Sequence, residues 1–72
     1  MSTIPSLKSR EVVSILKQQG FVELRQVGSH LHLYHPIRKL RATVPMHHKD
    51  LKRKTLLSIL RQANIRKEDI RT

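Results

Sequence analysis

The sequence predicts an α+β fold in the order helix, three-stranded antiparallel meander, helix, with both helices on one face of the sheet. Three observations predict it. Two stretches carry apolar residues at helical spacing, three stretches between them alternate apolar with polar, and turn-forming residues stand at the boundaries. The chain has 72 residues, enough for one small domain spanning 1–72. Residues 1–7, broken by Pro5, read as a loose lead-in, and residues 65–72 as a short C-terminal turn. Each strand offers one apolar face and each helix one apolar stripe, and stacking them on one side of the sheet buries both.

The first helix is expected over Ser9–Gln19. Ser9 supplies an N-cap, Glu11 places a carboxylate in the first turn, Val12, Ile15 and Leu16 form the stripe, and Gly20 stops it. In Phe21–Val27, Val22 and Leu24 face one way while Glu23 and Arg25 face the other, the pattern of a half-buried strand. Gly28-Ser29 makes a turn. His30–His35 then sets Leu31 and Leu33 against His30, His32 and Tyr34, and Pro36 closes the strand because proline cannot continue a ladder. A basic loop, Ile37–Lys39, leads to a third strand at Leu40–Val44. After a loop from Pro45 to Asp50, the i, i+3, i+4, i+7 spacing of Leu56, Ile59, Leu60 and Ala63 marks the second helix, which Asn64 can end. The expected core is Val12, Leu16, Val22, Leu24, Leu31, Leu33, Ala42, Val44, Leu56 and Leu60. The opposite sheet face stays wet and carries Arg25, His30, His32, Tyr34, Arg41 and Thr43.

Charge narrows the partners. Fifteen Lys and Arg against five Asp and Glu give a formal net charge of +10. A field of that sign draws polyanions, which means nucleic acid, an acidic surface or an acidic protein. No segment approaches the roughly 20 apolar residues of a membrane span, and the basic residues are spread over strands and helices rather than along one amphipathic helix. Residues 1–10 contain no apolar run of the signal-peptide kind, so the cytoplasm is the expected compartment. The absence of cysteine excludes disulfides and thiolate metal sites.

A set of short motifs recurs in one order along the chain. These are Ser9-Arg10-Glu11-Val12, Gly20-Phe21, Gly28-Ser29-His30, His35-Pro36, Thr43-Val44-Pro45-x-His47, Leu51-Lys52, Thr55-Leu56 and Ser58-Ile59-Leu60-Arg61-Gln62-Ala63. Together they resemble the HicA toxin family from about Lys8 to Ile65. The α-β-β-β-α layout read above is also that of double-stranded-RNA-binding domains, and the resemblance is compatible with it. The resemblance itself implies an mRNA-cleaving endoribonuclease with a catalytic histidine in the Gly-Ser-His motif, here His30, and a HicB-type antitoxin as partner. The chain departs from the family pattern at turns. Ile37-Arg38-Lys39 stands where the family has Asp-Gly after His-Pro, Arg53-Lys54 replaces the Pro-Gly before the second helix, and Asn64 replaces the glycine that ends it.

The residues themselves make His30 a sensible choice. Cleavage through the adjacent 2′-hydroxyl needs a proton taken, a proton given and the extra negative charge stabilised, and imidazole serves either proton step near neutral pH. Arg25, Arg41 or Lys49 could stabilise the charge. Gly28 allows a close approach to phosphate, and Gly28 and Ser29 join the expected RNA-binding residues with Arg25, Arg41, Lys49, Lys52, Arg53 and Lys54. Read without the resemblance, His30 is an ordinary strand-start histidine. His32 shares its face and could complete an acid/base pair, but a solvated strand residue is the preferred reading because the family does not usually carry histidine there. His35 is assigned a capping hydrogen bond near Pro36, and His47 a place beside the site or in ordering the loop. Metal is not expected, since no carboxylate or cysteine accompanies His30-x-His32 at a recognisable spacing, and no cofactor is implied. The alternative function is an RNA-binding module of the same fold that does not cut.

Overall fold

The computed structural model describes residues 6–70. They form α1 (Ser9–Gln18), β1 (Val22–Val27), β2 (His30–His35), β3 (Leu40–Pro45) and α2 (Arg53–Gln62), followed by a 3₁₀ turn at Lys67–Asp69. The sheet order is β1-β2-β3, antiparallel throughout, which is the expected α-β-β-β-α arrangement. The lead-in expected at residues 1–7 lies outside the described residues over 1–5. At its end it is not loose. Leu7 is buried, its carbonyl accepts from the Leu51 N–H at 2.8 Å, and Lys8 bridges Asp50.

The core fills the space between the helices and the inner faces of β2 and β3. Leu31, Leu33, Ala42 and Val44 from the strands meet Val12, Val13 and Leu16 of α1 and Leu56, Ile59 and Leu60 of α2. Phe21, Leu51, Ala63 and Ile65 close its borders. Both helices pack on β3, and this placement decides the fate of the first strand. Val22 and Leu24, expected in the core, are 47% and 51% exposed. Two causes act together. The helices leave β1 uncovered, and a bulge between Glu23 and Arg25 shifts the side-chain phase. Val22 and Arg25 therefore pair with Tyr34 and His32 on the outer face, whereas Glu23 and Gln26 pair with Leu33 and Leu31 on the inner one. Glu23 reaches the α1 rim there and forms an ion pair with Lys17.

The first helix begins differently from expectation as well. Lys8, not Ser9, is the N-cap, and the Glu11 carboxylate turns back to accept from the Lys8 N–H at 2.8 Å. At the other end Gly20 has φ +104°. A Cβ there would stand 2.6 Å from Nε2 of His35, so glycine answers both the left-handed backbone and the close approach. His35 is buried. Its Nε2 is 2.9 Å from the Gln19 carbonyl and its Nδ1 accepts from the Arg38 N–H at 3.0 Å, so the hydrogen bonds select the Nε2–H tautomer. The ring also stands edge-on to Phe21, 5.2 Å between centroids. His35 thus fastens the end of α1 to the β2–β3 turn, a larger task than the local cap expected of it. That turn accommodates Lys39 at φ +60° and α2 ends before Asn64 at φ +55°.

Candidate nucleic-acid interface on the open sheet face

The outer face of the sheet is a grid read directly from the strand register. Its three rows are Val27–His30–Pro45, Arg25–His32–Thr43 and Val22–Tyr34–Arg41. His30 is exposed, while Leu31 and Leu33 on the alternate positions of the same strand are buried. The expected strand faces therefore hold for β2 and β3. The Gly28-Ser29 turn sits beside His30, with Gly28 at φ +61°, and the Ser29 carbonyl accepts from the Met46 N–H at 2.6 Å. This bond ties the β1–β2 hairpin to the end of β3, so the loop leaving Pro45 starts at the row that carries His30.

The neighbours of His30 differ in freedom. Arg25 lies across from His32 and diagonal to His30, within reach of a long side chain. Arg41 is a row further from His30, its guanidinium 5.7 Å from the Tyr34 ring centroid. His32 is half-buried, and its Nδ1 lies 3.2 Å from the Thr43 hydroxyl.

The remaining basic residues of the expected RNA-binding set gather elsewhere. His47, His48, Lys49, Asp50, Leu51, Lys52 and Thr55 line a cleft of about 550 Å³ between the β3–α2 loop and the start of α2. Arg53 and Lys54 occupy the first turn of that helix, which has no acidic residue. The sequence-derived set thus divides. Arg25, Gly28, Ser29 and His30 come together on the hairpin, Arg41 stands at the far row, and Lys49, Lys52, Arg53 and Lys54 belong to the helix layer. The β3–α2 loop links the two groups. Its course is fixed by Ser9, a fully buried serine at the start of α1. The Ser9 Oγ donates to the Pro45 carbonyl at 2.5 Å and accepts from the His47 N–H at 3.0 Å. Sequence reasoning assigned Ser9 to helix capping and missed this link. The pairing of Ser9 with Pro45-x-His47 in the motif order was the available signal.

A second motif finds its explanation beside the sheet. Gln62 extends its Oε1 to the Thr43 N–H on the outer edge of β3 at 3.2 Å, while its Nε2 donates to Ser58 Oγ at 3.4 Å. The Ser58-to-Gln62 stretch therefore presents a built partner for an edge-strand donor. Among the described residues no group of three or more His, Cys, Asp or Glu side chains is gathered as a metal site would be, and no helix is long and apolar enough to cross a membrane.

The sequence profile described as the HicA toxin of bacterial toxin–antitoxin systems matches residues 9–65. The chain belongs to the HicA toxin family. Comparison with curated proteins found no sequence match. Membership gives the chain a toxin role and an antitoxin partner. The matched span of this HicA toxin runs from Ser9, which holds the β3–α2 loop, to Ile65, which closes the core, and so takes in every helix and strand described above.

Proposed function

We propose that this HicA toxin is a cytoplasmic endoribonuclease that cleaves messenger RNA, with His30 as the proton-transferring residue, and that a HicB-type antitoxin neutralises it. The observation that carries the reading is the exposure of His30 on an open, cationic sheet face, at the edge of the Gly28-Ser29 turn. An exposed imidazole can meet a large substrate without a preformed pocket, and a polyanion brings its own reason to settle on a surface of net charge +10.

In this reading the phosphate backbone is held along two lines. Arg25, with the Gly28-Ser29 turn, receives the phosphate at the scissile position. Lys49, Lys52, Arg53 and Lys54 neutralise flanking phosphates at the cleft, where the free N–H groups and dipole of the α2 N-terminus add to the attraction. His30 takes the proton from the 2′-hydroxyl or returns one to the leaving oxygen. Arg25 is favoured over Arg41 for stabilising the charge that develops on phosphorus, because it lies diagonal to His30 while Arg41 is a row further away over Tyr34.

The test is cleavage of an RNA by purified wild-type and H30A proteins, with circular dichroism to establish folding. His30 is exposed, so its truncation costs no more than about 0.5 kcal/mol. The expected result is a folded H30A protein that binds RNA but neither cuts it nor arrests growth. A folded H30A protein that cuts at the wild-type rate removes His30 from the chemistry. RNA binding by a wild-type protein that never cuts favours a binding module of the same fold.

A further inference from the structure

The two edges of the sheet are treated differently. The outer edge of β3 is blocked in its second half. Its Thr43 N–H is taken by Gln62, Pro45 has no N–H, and the Pro45 carbonyl accepts from Ser9. β1 is paired on one side only, with β2, and all six of its residues are exposed. Three of the four exposed large apolar side chains among the described residues lie on or at the end of it: Val22, Leu24 and Val27. Natural sheets usually protect an edge of this kind with lysine, proline, a bulge, an inward-pointing charge or a covering element. β1 has neither lysine nor proline, and Glu23, on its inner face, is held by Lys17. The bulge at Leu24 interrupts the strand but leaves Arg25–Val27 as a regular run beside His32 and His30.

We propose that β1 is the edge on which the antitoxin docks, adding an extended acidic segment as a fourth strand and seating apolar side chains against Val22 and Leu24. The proposal takes its partner from the toxin role of the chain, and its location from the strand itself. Strand addition gives affinity through main-chain hydrogen bonds and specificity through alternate side chains. Charge selects the occupant. An acidic segment is drawn to Arg25 and to a chain of net charge +10, whereas a second copy brings another +10 to the same edge. RNA has no apolar side chains to set against Val22 and Leu24. The location also accounts for inhibition. A strand beside β1 lies about 10 Å from β2, two strand spacings away. Its outward side chains then flank the Val27–His30 and Arg25–His32 rows, over the path of a phosphate backbone.

The experiment uses the full chain with its cognate antitoxin. Amide hydrogen exchange is followed along β1 in free toxin, in the complex and with RNA, and calorimetry compares wild-type with a V22T/L24S variant. Both positions are exposed and outside the proposed RNA-contacting set, so the variant should fold and cut RNA as wild-type does. Complex formation should slow exchange at Gln26, the amide of the regular run that faces away from β2, and V22T/L24S should weaken antitoxin binding by about tenfold or more. Unchanged affinity in the variant, or an unprotected Gln26 amide in the complex, overturns the proposal. Protection that appears in concentrated toxin alone, or with RNA but not with antitoxin, overturns it in favour of self-pairing or of RNA. Exchange and calorimetry do not depend on catalysis. A toxin that docks its antitoxin through β1 yet never cuts RNA therefore refutes the ribonuclease reading and leaves this one standing.

Discussion

His30 and His32 stand two residues apart on one strand face, yet their surroundings differ. His30 is exposed beside a turn, whereas His32 is half-buried with Nδ1 against the Thr43 hydroxyl. A ring engaged by its neighbour across the strands is suited to ordering the sheet face. H32A is accordingly expected to retain substantial cleavage activity where H30A has none, measured on the same RNA. Ser9 shows how a residue far from any chemistry can govern a site. Removing its hydroxyl leaves the His47 N–H without its partner and deprives the Pro45 carbonyl of a donor, both at part-buried positions. S9A is expected to cost about 1–3 kcal/mol in denaturant unfolding. It should also loosen the loop that connects the His30 row to the basic cleft, lowering RNA affinity beyond the loss of stability.

At the scale of elements, α2 begins with an unusual charge arrangement. Its N-cap is Lys52, Arg53 and Lys54 follow, and its first turn has no acidic residue. Cations at a helix N-terminus oppose the macrodipole and cost a few tenths of a kcal/mol each, so an anion seated there relieves a local conflict. If that anion is the RNA backbone, replacing Lys52, Arg53 and Lys54 together by alanine should make the dependence of binding on salt less steep by about two to three in the slope of log K against log salt. The protein should not be destabilised by the change. Filter binding over a range of salt, paired with thermal unfolding, checks both. An unchanged slope would make this edge a solvated helix start. β1 is the element where sequence reading failed. Its alternation of Val22 and Leu24 with Glu23 and Arg25 is a sound strand signal, and the strand exists. Which side would be covered was not in the alternation, because the bulge at Leu24 changes the phase and neither helix covers the strand.

For the whole molecule, one layer of core between the sheet and two helices carries the stability. Leu33 sits in that layer, 1% exposed. Truncating a buried leucine costs about 2–5 kcal/mol, against the roughly 3–5 kcal/mol that a core of this size supplies. L33A should therefore be largely unfolded alone, seen as loss of a cooperative thermal transition. The bound antitoxin should restore the transition, because a ligand of the folded state adds its binding free energy to folding. A cooperative L33A transition within a few degrees of wild-type would contradict this account of the core.

Local chemistry determined most of what the chain is. Alternation in His30–His35 put Leu31 and Leu33 inside and His30 and His32 on the outer face, and helical spacing placed Leu56, Ile59, Leu60 and Ala63 on one buried stripe. The motif order from Ser9 to Ala63 carried the family. These signals are legible because they depend on periodicities of two and 3.6 residues within single elements. The tertiary structure alone decided the rest. It turned Ser9 from a helix cap into a link between α1 and the β3–α2 loop, and it made Leu7 a core residue. It separated Lys49, Lys52, Arg53 and Lys54 from the hairpin that carries His30, and left β1 uncovered. Each of these depends on where elements distant in sequence come to rest against one another, and no periodicity within a strand or helix encodes that distance.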